Sequence, residues 1–196
     1  IWPDQMHVDK EALDLSPAAV RQAYEHIWAP ADQLMAQLYY FPAGLLSLWQ
    51  ASARGHLVFS HRPSSYHPGP QPWRDRSLDG ICTLCLAESV RDEPTPWWAL
   101  YGLFDHLMGS DGDDGGLWLS DGAGITPELA TVGQRFQRIE QLGYGHQELG
   151  ASNSHEYFAR TLHLYRREPR RLNVLDPQVE RLYRSTLMEE KWWASL

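Results

Sequence analysis

The sequence predicts an α+β fold, mostly helical with a small sheet, and three observations carry that expectation. Apolar side chains recur at helical spacing through most of the 196 residues. Two short runs read as strands, HLVFS (56–60) and the compact apolar stretch ICTLCLAES (81–89). Hydrophobic residues make up 43%, with 9 Trp, 9 Tyr and 5 Phe, enough apolar bulk to bury a core and to exclude a mostly disordered chain.

The first third, residues 1–60, reads as N-terminal helices. Ser16 is the candidate N-cap of the first, with Pro17 at its first helical position. Ala18, Ala19, Val20, Ala23, Tyr24 and Ile27 then keep helical spacing up to Pro30. A second helix is expected over 32–38 and a third over 42–54, with Gly55 as its left-handed stop before the 56–60 strand. Residues 61–77 hold four of the 13 prolines and almost no aliphatic side chain, so they read as a long surface loop. The run 81–89 suits a strand buried on both faces. Thr95 and Pro96 open a helix to about Met108 that is apolar almost all round, which predicts a central, buried position for Trp98, Leu100, Leu103, Phe104 and Leu107. A Gly- and Asp-rich loop follows, around the triplet Leu117-Trp118-Leu119. Further helices start at Thr126-Pro127, at Asn153 or Ser154, and at Asp176-Pro177, the last running to about Glu190. The whole is expected as one domain over 1–196.

Charge and motifs exclude several functions. The 17 basic and 25 acidic residues leave a net charge of −8, a field that favours solubility and repels nucleic acid and anionic membrane. The basic run Arg166, Arg167, Arg170 and Arg171 is interrupted by Glu168 and reads as a solvated helix end, so no nucleic-acid partner is expected. The longest apolar stretch, 39–49, is broken by Pro42, Gly44 and Ser47 and is too short to span a bilayer, which needs about 20 residues. Two cysteines make no disulfide framework, and Cys82-Thr-Leu-Cys85, without further ligands, reads as two small core side chains. The segment DGDDGG (111–116) has Gly122 where a calcium loop needs its bidentate Glu. Phosphate-loop and nucleophile-elbow patterns are absent from the sequence. None of the nine histidines has another four positions away, and His155 and His163 would lie about 12 Å apart along one helix, too far to share a metal. The compartment is left open.

Two segments resemble one family. The stretch LGASNSHEYFARTLHLYRREPRRLNVLDPQVERLYRSTL (149–187) is similar to the last helices of the anthrax lethal factor-type metallopeptidases, with their Pro-Pro endopeptidase and Mlc-titration relatives. LYGLFDHLMG (100–109) resembles the surroundings of that family's H-E-x-x-H-x-x-D-x-x-x-G motif. The resemblance covers about 80–190 and implies a gluzincin-like fold. It places Glu156 on the third zinc ligand, Asp105 on the Asp that orients the second zinc His, and Gly109 on the helix-ending glycine. It also places Trp98 on the first zinc His, Ala99 on the general-base Glu, Gly102 on the second His and Leu149 on the transition-state tyrosine. The motif is thus replaced by Trp98-Ala99-Leu100-Tyr101-Gly102. Zinc hydrolysis needs three ligands and a base. One carboxylate does not supply them.

The resemblance therefore implies a pseudoenzyme with no catalytic residue and no cofactor, acting as a protein-binding or structural module. Tyr66, Trp73 and Trp118 are the expected anchors, since aromatic residues and Arg dominate binding hot spots; Trp192 and Trp193 can pack back as a hydrophobic latch. The alternative is a metal-dependent hydrolase with a relocated site drawn from Asp105, His106, His155, Glu156 and His163, although neighbouring side chains such as those of Asp105 and His106 diverge by about 100° on a helix. Asp105 should find hydrogen-bond donors, because an unpartnered carboxylate in apolar surroundings is costly. Glu156 should reach solvent or pair with a cation, with His155, Arg160 or an Arg from the N-terminal third as candidates.

Overall fold

About 53% of the described residues are helical, beside a small mixed sheet, so the α+β class holds. The computed structural model describes residues 4–109 and 116–196; most of the DGDDGG segment lies outside the described residues. The chain divides into two units, Ile1–Tyr40 with Ser52–Leu103, and Phe41–Ala51 with Phe104–Leu196. Among the described residues no helix is long and apolar enough to cross a membrane.

The first unit is built on a four-stranded sheet of order β1 (Met6–Val8), β2 (His56–Ser60), β6 (Ile81–Cys85), β3 (Ser65–His67). β1, β2 and β6 run parallel and β3 closes one edge antiparallel. Parallel neighbours need long crossovers. α1 (Ala18–Ala23), α2 (Ala29–Leu38) and α3 (Ala43–Ala51) lie in the first crossover, while β3 and the hairpin β4 (Gln71–Trp73) and β5 (Arg76–Leu78) lie in the second. Leu57, Phe59, Cys82 and Leu84 fill one face of the sheet; Val58 and Ile81 on the other face pack with Leu78, and Trp73 leans on them. Gly55 and Gly80 start β2 and β6 with φ of 88° and 66°. They approach closely, Gly55 N–H to Asp79 O at 3.1 Å and His56 N–H to Gly80 O at 3.0 Å, so a side chain at Gly80 would be both strained by its positive φ and tight against Gly55 N.

The second unit is helical: α3, the end of α5 (Thr95–Gly109), α6 (Pro127–Glu140), α7 (His146–Leu149), α8 (Ser154–Arg167), α9 (Pro169–Leu175), α10 (Pro177–Ser185) and α11 (Glu190–Trp193). The starts follow local chemistry. Thr126 caps α6, Asn153 caps α8, and Asp176 caps α10 by accepting from Gln178 N–H and Val179 N–H at 3.0 Å each. Phe136, Phe158 and Tyr183 form the aromatic centre, with edge-on rings 5.4 and 5.8 Å apart. The expected latch is present: Trp193 covers Gly44 of α3, and the Glu190 carboxylate accepts from Ala43 N–H at 2.9 Å.

Several expectations need correction. The first helix stops at Ala23 rather than near Pro30, because Tyr24 is extended; Pro17 rather than Ser16 holds its N-cap position, and the second helix starts at Ala29 rather than at Asp32. The third helix covers Ala43–Ala51 rather than 42–54. Residues 1–60 also contain β1, a three-residue strand too short to show periodicity. The 61–77 segment is not a bare loop, since β3, β4 and the start of β5 lie in it. The run 81–89 leaves the sheet at Cys85, and α4 (Leu86–Val90) follows. α10 ends at Ser185 rather than near Glu190. In α5, Leu100, Leu103, Phe104 and Leu107 are buried as expected, but Trp98 is only half-buried.

Candidate functional site

The first unit has a cleft of about 410 Å³ on the sheet face that carries Val58 and Ile81. Strand alternation builds its floor: Val58 and Ser60 from β2, Ile81 and Thr83 from β6, and Ser65 and His67 from β3 all point one way. The β4–β5 hairpin adds Gln71, Pro72, Trp73 and Arg74 along one wall, and Arg62, Pro63 and Asp9 lie on the rim. Of the expected anchors, Trp73 lines the cleft. Tyr66 alternates with Ser65 and His67, opposite Cys82, and so points to the other face.

The polar groups divide into those already engaged and those with capacity left. Asp9 accepts from the Ser60 hydroxyl at 3.4 Å and from Glu11 N–H at 3.4 Å. Ser65 Oγ and His67 Nε2 are 3.3 Å apart. Arg74 donates to Val8 O at 2.9 Å and lies 5.3 Å from the Trp73 ring centre, in cation–π range. The Arg62 side chain makes no hydrogen bond or ion pair among the described residues, although its N–H donates to Ser60 Oγ at 3.2 Å.

Beside the cleft, His7 Nε2 and His56 Nδ1 share a hydrogen bond of 3.1 Å, and the His7 ring is 6.0 Å from that of Trp73. Burial first, then His56 and the guanidinium groups of Arg76 and Arg74, push the His7 pKa down to about 4, against a small opposing pull from Asp4. His56 is also lowered, by burial and then by Arg76. The folded state therefore binds fewer protons than the unfolded chain. The contribution of His7 is complete above pH 6.5 and is lost as pH falls toward 4. A loss of about 2–3 kcal/mol over that window is expected from this 9% exposed residue. His7→Asn should flatten the stability–pH curve between pH 7 and 4.5, read by urea unfolding at each pH; an unchanged slope would rule the effect out.

In the second unit, the residues given zinc-site positions by the resemblance each have a local structural role. Glu156 sits in the third position of α8: its N–H donates to the Asn153 side chain at 2.8 Å, and its Oε2 accepts from Ser152 N–H at 3.0 Å and from Arg160 at 3.4 Å. The pattern resembles a capping box, with the Glu156 carboxylate reaching one residue past the N-cap Asn153 to the Ser152 amide. Its side chain is 42% exposed, so the Arg160 pair contributes no more than a few tenths of a kcal/mol. Asp105 is fully buried and accepts from Ser120 N–H at 2.8 Å and from its hydroxyl at 2.6 Å. Burial holds its pKa well above the usual carboxylate range despite those two bonds.

His155 pairs with Asp121 at 3.0 Å and stacks on Trp118 at 4.0 Å. Trp118 is therefore half-buried and packed rather than a free anchor. The buried His106 ring also lies against Trp118, with ring centres 5.2 Å apart. Among the described residues no three His, Cys, Asp or Glu side chains are placed to hold a metal ion, so Asp105, His106, His155, Glu156 and His163 do not assemble the relocated centre considered above. Trp98, Ala99 and Gly102 bring no ligand atom to a zinc ion, and the Leu149 side chain brings no hydroxyl. The residues present do not fit the group.

Cys82 and Cys85 are buried and free, and burial drives the Cys82 thiol far up, so it is not a reactive thiolate at neutral pH. Sequence reasoning found Trp73 but not Arg62, Arg74, His67 or Thr83, which only strand register brings together. Searches of family models, curated proteins and solved structures found nothing that matches this chain.

Proposed function

We propose that this chain is a binding module rather than a hydrolase, a degenerate lethal factor-type domain that takes a segment of a partner protein in the cleft under Trp73. The cleft is the observation that carries this reading. Its volume falls in the range of ligand sites, and its floor sets the apolar Val58 and Ile81 among the polar Ser60, Ser65, His67 and Thr83. Tryptophan and arginine are the residues that most often carry binding energy, and Trp73 and Arg74 form one wall. The occupation of Glu156 and Asp105 in capping and buried hydrogen bonds supports the loss of peptidase chemistry.

Selection of short peptides from a random library against the intact chain, followed by calorimetry, tests it. Trp73→Ala should weaken the selected peptides at least tenfold while leaving the melting temperature within a few degrees. Equal binding by the variant would move the site elsewhere. Zinc-dependent peptide hydrolysis that is lost in Glu156→Gln would overturn the module reading altogether.

A further inference from the structure

We infer that the cleft recognises an anionic group, a carboxylate or phosphate carried by the partner segment, with Arg62 and Arg74 as its cationic clamp beside the Trp73 ring. This rests on the binding-module reading and adds the chemistry of what is bound.

Three observations converge. The first is charge. The chain carries −8 overall, yet two guanidinium groups and a single carboxylate line this cleft. That carboxylate, Asp9, already accepts from Ser60 and Glu11. The local sign is therefore opposite to that of the whole molecule, and field lines concentrate where a concave wall excludes water.

The second is unused donor capacity. Arg62 carries five N–H donors and spends none of them on a described residue, and Arg74 spends one nitrogen on Val8 O. Guanidinium groups meet carboxylates and phosphates through two parallel hydrogen bonds, a geometry a lone hydroxyl or amide does not match. The Thr83 hydroxyl on the floor of the same cleft offers a further donor.

The third is the backbone beneath Arg74. β4 and β5 are joined by a two-residue turn, Arg74-Asp75, and Arg74 adopts φ of 57°. Glycine or asparagine occupies the left-handed position of such turns at little cost. An arginine there costs stability, and backbone outliers of this kind cluster at functional sites. The side chain kept at that cost is the one that lies over Trp73 and faces the cleft. Binding an anion gives the residue a use that turn formation does not.

Arg62→Gln and Arg74→Gly separate binding from folding. Arg62 has no described side-chain partner to lose, and Arg74→Gly trades the Val8 contact for a relaxed turn, so both should keep the melting temperature close to that of the parent chain. Three probes are titrated by calorimetry: a five-residue peptide with four acidic side chains flanking a phenylalanine, its isosteric amide, and phenyl phosphate. The acidic peptide should bind at least tenfold more tightly than the amide, and each arginine variant should remove most of that difference. If phenyl phosphate binds in an arginine-dependent way and the acidic peptide does not, the anion site stands and the protein-partner reading falls. If the amide binds as tightly as the acidic peptide and Arg62→Gln changes nothing, the anion inference is overturned while the module reading survives. No binding by any probe overturns the inference, and the peptide-library selection then decides the module reading.

Discussion

Asp176→Ala should lower the stability of the chain by about 4 kcal/mol, the largest effect expected of any single polar substitution here. The residue is fully buried and serves two structures at once. Its Oδ1 accepts from Gln178 N–H and Val179 N–H at the start of α10, and its Oδ2 accepts from the Tyr157 hydroxyl at 2.7 Å. The single Tyr157 hydroxyl proton is shared between Asp176 Oδ2 and Tyr144 O, the latter at 2.6 Å, and the phenol is pushed up by burial first and by Asp176 second, so it stays protonated. Alanine removes an N-cap, worth about 1 kcal/mol, and strands buried donors at about 1–3 kcal/mol each. Asn, which keeps one carbonyl oxygen for the helix amides, should recover about half. Urea unfolding of both variants measures this; a loss below 1 kcal/mol for alanine would show that the network is not what holds α10.

Gly133→Ala should destabilise by about 3 kcal/mol, although in an ordinary helix interior the same change stabilises by up to about 1 kcal/mol. The sign decides the matter. Gly133 is on the buried face of α6, where a Cβ would run into the backbone carbonyls of Ala123 and Leu119. Backbone atoms cannot swing aside as a side-chain tip can. The 3₁₀ turn Leu119–Asp121 is pressed from its other side as well, because a Cβ at Gly109 would meet Leu117 O and Leu119 N. The helix cannot simply retreat, and this turn delivers Ser120 to Asp105. A gain in melting temperature for Gly133→Ala would contradict the packing described for this turn.

How much of this was legible in the chain depended on element length and on which forces are local. α6, α8 and α10 announced themselves through Thr126-Pro127, Asn153 and Asp176-Pro177, because a cap and a proline act within one turn of helix. β1, β3, β4 and β5 are three residues each, shorter than the alternation needed to see them. Pro72 argued against a strand, yet it is tolerated where β4 has only one neighbour. Glu156 illustrates the reverse difficulty. Asn153 three residues before it is a capping-box signal, but the surrounding H-E-Y-F-A drew the reading toward a zinc ligand. The cleft was least legible. Trp73 stood out as an aromatic in a polar stretch, whereas Arg62, Ser65 and Thr83 become neighbours only through the Val58–Thr83–Ser65 row across three strands.

The placing of α3 has a consequence for anyone who wishes to divide this molecule. The chain leaves the first unit after Tyr40, contributes one helix to the second, and returns at Ser52; later it passes out of the first unit for good in the middle of α5, between Leu103 and Phe104. Neither unit is a continuous piece of sequence, so no single boundary releases one intact. A fragment beginning after Ala51 strips α3 from beneath Trp193 and removes the amide that Glu190 holds. A fragment ending at Tyr40 keeps β1 but loses the strand that β1 pairs with. Closing α3 onto α11 joins residues 147 positions apart, which makes the second unit entropically slow to complete. Separate expression of the halves would need circular permutation or a designed splice across 40 and 52 rather than truncation.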